Sequence, residues 1–170
     1  MTDTIEVLDR GRPIEFSFEE MLNYHGRGSP GGVANAFKVL ERALPLLDPD
    51  GPCERREIVV ETAFGGPGAR DAFELVTRAV TGERFHLDPG LARPERGRTL
   101  ERFVFRLGYR DRRTTLALRE GFVTEEFIDL ARTEERTAEE ERRLDALKSE
   151  LADRIMARAA DEVYDVSERR

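Results

Sequence analysis

The feature that most constrains this chain is an amphipathic helix fenced by helix breakers. Val33, Ala36, Phe37, Leu40, Leu44 and Leu47 lie at offsets of 0, 3, 4, 7, 11 and 14, one stripe at the helical period. Pro30 and the pair Gly31 and Gly32 open the segment, and Asp48-Pro49-Asp50-Gly51-Pro52 terminates it. Such a stripe has to be covered by another layer. The next apolar run, Ile58-Val59-Val60-Glu61-Thr62-Ala63-Phe64, is short and β-branched, which predicts a strand.

The remaining elements follow from the same reading. Residues 3–16 predict a short strand or extended arm around Ile5-Glu6-Val7-Leu8, ending at Pro13. Ser17 with Glu20 makes a capping box for a short helix that runs to Tyr24 and stops at Gly26. After the strand at 58–64 comes the turn Gly65-Gly66-Pro67-Gly68. A helix follows with Ala72, Phe73, Val76, Ala79 and Val80 on one face, ended by Gly82. Residues 83–88 form another short strand and Pro89 to Arg98 a loop. Phe103, Phe105, Leu107 and Tyr109 then alternate with Val104, Arg106 and Gly108, a half-buried strand. A hairpin turn at Asp111-Arg112 leads to a return strand through Thr114, Leu116 and Leu118. A helix from Thr124 to Arg132 buries Phe127, Ile128 and Ala131.

Thr137 and Glu140 repeat the capping box ahead of a charged helix of about 25 residues. Its seam is Leu144, Leu147, Leu151, Ile155, Ala159 and Val163, which packs either on its own domain or on a second chain. The whole predicts an α+β fold with a mainly antiparallel sheet packed against helices. An α+β domain spans 1–132, and a charged amphipathic C-terminal helix spans 133–170.

Bulk properties narrow the function classes. A chain of 170 residues, 39% hydrophobic and 37% charged, can bury a core without disulfides. A net charge of −7 argues against general nucleic-acid binding, which needs a basic face. The arginines from 93 to 119 form the densest basic region, read as a solvated face or as docking for an acidic partner or anionic ligand. No run reaches the length of a membrane span, and the acidic start shows no signal peptide. With Cys53 alone, the expectation is a cytoplasmic protein without intrachain disulfides.

The segment with chemical character is Tyr24-His25-Gly26-Arg27-Gly28-Ser29-Pro30-Gly31, ahead of the 33–47 stripe. Two further stretches accompany it. One is Val59-Val60-Glu61-Thr62 with its glycine turn, Asp71-Ala72 and Val76-Thr77; the other is the aromatic strand Phe103-Val104-Phe105-Arg106 with its hairpin partner. On these the chain resembles the E-subunit family of formylmethanofuran dehydrogenase over residues 18–120. The resemblance implies an α+β fold, a homodimer, a redox-enzyme partner and a metal site, usually zinc. That site uses a His-Gly-His-x-Cys-Pro-Gly motif and a later Cys. His25 matches the first His, but Arg27 stands at the second, Ser29 at the Cys and Ala79 near the later Cys.

The soft ligands are thus replaced, and no metal or other cofactor is expected. A zinc site needs three or four thiolate, imidazole or carboxylate ligands. It would have to be rebuilt from His25, His86 and either Asp71 or Glu61. Arg27 repels a cation and can hold a carboxylate or phosphate. The glycine turns at 26–28 and 65–68 each precede a helix start, where free N–H groups and a partial positive charge collect. Converging, they would form an anion pocket. The expected binding residues are His25, Arg27, Ser29, Gly66, Gly68 and Asp71, around a small anionic ligand. No catalytic residue is assigned. The alternatives are an enzyme rebuilt around His25, Arg27 and Ser29, and a dimeric interaction protein assembled through the C-terminal helix. The turn at 65–68 lacks the spacing of a P-loop or dinucleotide fingerprint, so a plain strand-to-helix turn is the simpler reading. Glu74 is expected to pair with Arg78 on an exposed helix face.

Overall fold

In the computed structural model, which describes residues 4–169, the chain opens with a hairpin rather than an extended arm. Strand β1 (Thr4–Asp9) pairs with β2 (Arg12–Ser17). Arg10 and Gly11 turn the chain with φ of 53° and 80°, a left-handed pair whose twist suits two-residue hairpins. Arg-Gly is not one of the usual signals for that turn, so the sequence pattern hides it. Pro13 sits inside β2 opposite Leu8, tolerable because β2 is an edge strand of a two-stranded sheet.

Helix α1 (Phe18–His25) carries the expected capping box. The Ser17 hydroxyl accepts the Glu20 N–H at 3.1 Å, and the Glu20 carboxylate accepts the Ser17 N–H at 2.7 Å. Gly26 stops the helix at a φ of 93°, a conformation that suits glycine. Helix α2 (Pro30–Leu47) holds the stripe, and Val33, Ala36, Phe37 and Leu40 are completely buried.

Next, β3 (Ile58–Thr62), α3 (Pro67–Thr77) and β4 (Phe85–Leu87) form a strand–helix–strand crossover in which β4 lies parallel to β3. β5 (Val104–Tyr109) pairs antiparallel with β3 and with β6 (Arg112–Leu118). The β5–β6 turn falls at Arg110 and Asp111, one residue earlier than predicted, with Arg110 taking the left-handed φ. Helix α4 (Glu125–Arg132) starts at the Thr124 cap. It buries Ile128, half-buries Phe127 and leaves Ala131 exposed, a correction to the expected buried trio.

The C-terminal segment departs most from expectation. The long helix, α5 (Ala138–Met156), has 19 residues and keeps its capping box at Thr137 and Glu140. It is followed by a short α6 (Ala160–Val163) and by β7 (Tyr164–Arg169), which pairs antiparallel with β6. The sheet order is β4-β3-β5-β6-β7, so the tail supplies an edge strand instead of more helix. Tyr164 and Val166 alternate with Asp165 and Ser167, and pairing on β6 outweighs helical continuation. The seam residues Leu144, Leu147, Leu151 and Ile155 are buried within the same chain, where α5 packs on α2. Of the two packings open to the seam, this is the one within its own chain. Among the described residues no helix is long and apolar enough to cross a membrane.

The core gathers where α2 and α3 cover the sheet. Phe105 lies 5.9 Å from Phe73 and 5.7 Å from Tyr164, ring centre to ring centre, and all three side chains are fully buried. The Tyr164 hydroxyl donates to Asn35 at 2.5 Å, and the Asn35 amide donates to the Gly31 carbonyl at 2.8 Å. This buried relay ties the last strand to the first turn of α2.

Helix α3 ends at Thr77, before the predicted stop at Gly82, because side chains from elsewhere capture its terminus. Arg55 donates to the carbonyls of Val76 at 2.9 Å and Leu75 at 2.5 Å. Arg84 donates to those of Thr77 at 3.0 Å and Arg78 at 3.1 Å. Arg78 itself turns left-handed, with φ of 57°. Glu74 pairs with Arg78 at 3.6 Å, but Glu74 is buried, not on an exposed face. Its carboxylate accepts from the Thr81 N–H at 2.9 Å and hydroxyl at 2.5 Å. Burial pushes the Glu74 carboxyl up, but bonds from Thr81 and the Val80 N–H, with the Arg78 charge, outweigh it and hold the carboxyl below its ordinary value. A carboxyl lowered by folding adds stability above the unfolded-state pKa and loses it as pH falls through the folded one. The urea midpoint of Glu74→Gln is therefore expected to lie below wild type at neutral pH. That gap should narrow as pH drops below 4.5, and an unchanged gap in acid would contradict the assignment.

Candidate functional site

The first turns of α2 and α3 lock together through glycine. A side-chain carbon at Gly68 would lie 2.6 Å from the Ser29 carbonyl oxygen, and one at Gly32 would lie 3.1 Å from the Ala69 nitrogen. Helix α5 crosses the same place. A carbon at Gly31 would meet Leu151 at 2.9 Å, and Lys148 Nζ donates to the Gly28 carbonyl at 3.2 Å. Gly68, predicted as ligand-facing, thus also serves close packing of backbone on backbone.

A cavity of about 460 Å³ opens beside this junction. Ser29, Gly31, Gly32, Gly65, Gly66, Pro67 and Gly68 form one side. Arg98, Arg102, Arg132, Arg136 and Lys148 supply charge, and Phe64, Phe103, Phe127, Ile128 and Leu144 the apolar part. The cavity lies just past the carboxyl end of β3, the usual place for a ligand beside a strand–helix–strand unit. Helices α1, α4 and α5 begin with hydroxyl caps, whereas α2 and α3 begin with proline and have no side-chain cap. Their first-turn N–H groups therefore lack a side-chain acceptor.

The electrostatics of the lining are one-sided: it contains five cations and no carboxylate. Arg98 is held by Asp129 at 2.6 Å and Glu125 at 3.3 Å, and Arg132 by Glu101 at 3.1 Å. Arg136 pairs with Glu141 at 3.0 Å and donates to the Leu130 and Thr133 carbonyls. Arg102 and Lys148 have no carboxylate partner among the described residues. By contrast, a groove of about 570 Å³ on the β3–β5–β6 face mixes Glu57, Glu61 and Asp111 with Arg110, Arg112 and Arg113, so its charges offset one another.

The six predicted binding residues divide. Ser29, Gly66 and Gly68 line the cavity. His25 and Asp71 do not; His25 Nδ1 lies 2.8 Å from Asp71 Oδ2, a polar stitch joining α1 to α3. Arg27 turns back along α1 to Glu19 and Asn23 and is well exposed, so it does not reach the cavity. His25, Arg27 and Ser29 thus have three separate engagements rather than one centre. Among the described residues no three His, Cys, Asp or Glu side chains are grouped to hold a metal. His86 faces Glu61 across the β3–β4 ladder, while His25 is tied to Asp71, so the rebuilt zinc set does not assemble. The Cys53 thiol is buried and pushed up to about 12, chiefly by burial and then by the Asp48 charge.

Sequence reasoning misses Arg132, Arg136 and Lys148 altogether, and places Arg98 and Arg102 only within a basic run. No protein-family model matches the chain, and no curated protein matches it.

Proposed function

We propose that the protein binds a small anionic ligand in the cavity beside the first turns of α2 and α3. The observation that carries this reading is the lining itself: five cations, two uncapped helix starts and no acid. Converging donors and cations in a concave site suit a phosphate or carboxylate. The lining holds no imidazole, thiol or carboxylate to move a proton, which favours binding over catalysis.

Titration with inorganic phosphate, followed by calorimetry and thermal unfolding, tests the reading. Phosphate is expected to raise the unfolding temperature, less so at high ionic strength. The double substitution Arg102→Ala with Lys148→Met removes the two cations without carboxylate partners. It is expected to weaken binding by about tenfold or more while leaving the far-ultraviolet spectrum unchanged. No thermal shift and no heat with phosphate, simple carboxylates or nucleotides would overturn the proposal.

A further inference from the structure

We infer that the ligand is an aryl oxyanion: a phosphate or carboxylate head joined to one planar ring. The inference rests on the anion-binding reading and adds what the other half of the cavity requires. About 460 Å³ lies within the usual range for whole organic ligands, roughly 300–1,000 Å³. A bare oxyanion would satisfy Lys148, Arg102 and the glycine turns but leave the apolar wall against water.

That wall is flat. Phe64 and Phe103 stack with ring centres 4.7 Å apart and planes inclined by 27°. The Phe64 ring also abuts Gly66, where any side-chain carbon would collide with Cε1 and Cζ. Phe64 is only half-buried, although Phe103 behind it is buried. A ring backed by Phe103, hemmed in at Gly66 and open to the cavity offers a rigid aromatic surface. Planar guests gain more from such a surface than chains do, through stacked or edge-on contact beyond the area they bury. Guanidinium groups, which the lining also supplies, can stack on a planar ring. Head and ring therefore have separate, adjoining receptors: glycine turns with Lys148 and Arg102 for one, Phe64 on Phe103 for the other.

The test compares inorganic phosphate, phenyl phosphate, cyclohexyl phosphate and benzoate by calorimetry on the whole chain, wild type and Phe64→Leu. Phenyl phosphate is expected to bind wild type about tenfold or more tighter than inorganic phosphate, and tighter than cyclohexyl phosphate. Phe64→Leu should erase the advantage of the ring, bringing the affinity for phenyl phosphate down to that for inorganic phosphate measured on the same variant. Equal binding of inorganic and phenyl phosphate would overturn it while sparing the anion reading. Equal binding of the phenyl and cyclohexyl compounds would overturn the planar ring. Failure of all four to bind would overturn both.

Discussion

Gly68→Ala is expected to destabilise the protein by about 2–3 kcal/mol, lowering the unfolding temperature by about 5–10 °C. The usual effect of this exchange within a helix has the opposite sign, since alanine gains about 0.5–1 kcal/mol over glycine there. Contact decides the outcome. The new methyl would stand 2.6 Å from the Ser29 carbonyl oxygen, 2.9 Å from Ser29 Cβ and 3.3 Å from a Val33 methyl. The first obstacle is backbone at the start of a buried helix, so relief requires α2 and α3 to part. Parting them enlarges the cavity, so phosphate affinity should fall together with stability. Gly65→Ala is the control, because its nearest neighbour is the Leu87 side chain at 3.9 Å. That variant is expected to stay within about 0.5 kcal/mol of wild type. Equal unfolding temperatures for the two variants would show that the helix junction yields more easily than its geometry requires.

What the sequence discloses here follows from how local each cause is. The starts of α1, α4 and α5 are readable because their hydroxyl caps lie within three residues of the amides they bond. The end of α3 is not, because the donors that stop it stand at Arg55 and Arg84. The strand β7 is hidden for another reason: Val163 fits the helical seam of α5 as well as it fits the entry to a strand. Only the free edge of β6 decides between them. Pairing of β3 with a three-residue β4 is likewise a tertiary fact, and it changes one sheet edge from antiparallel to parallel.

The site shows the same division. The glycine turns ahead of the helix starts supply the cavity's backbone side, through Ser29, Gly66 and Gly68. The aim of Arg27 differs from expectation: it stands in the turn just past the end of α1, and its guanidinium returns along that helix to Asn23 and Glu19. The cations that do line the cavity come from the 98–102 loop, the end of α4 with the link after it, and α5. No local spacing announces that these segments meet.

The other large effect concerns the far end of α3. Arg84→Met keeps the apolar stem and removes the guanidinium, and it is expected to cost about 2–4 kcal/mol. A helix leaves its last carbonyls without intrahelical donors. In α3 the Glu74 carbonyl takes the Arg78 N–H, and the next three, on Leu75, Val76 and Thr77, go to guanidinium groups. Arg84 serves Thr77 and Arg78, and its other nitrogen reaches Ile58 at 2.5 Å and Arg55 at 3.3 Å. One side chain thus joins the helix end to the first residue of β3. Its loss leaves the Thr77 carbonyl without a donor, at about 1–3 kcal/mol. It also takes one donor from the carbonyls of Ile58, Arg55 and Arg78, of which the last two keep the Ile58 and Gly82 N–H groups. Positive charge is removed from the negative end of the helix dipole as well. Gly82 belongs to the same device, since a side chain there would press on the Arg84 guanidinium at 3.0 Å. Against a typical domain stability of about 5–15 kcal/mol, the loss should be plain in a urea midpoint. Arg84→Lys should recover less than half of it, because a single ammonium cannot span carbonyls on two elements. A midpoint for Arg84→Met within error of wild type would mean that water replaces the guanidinium at no cost.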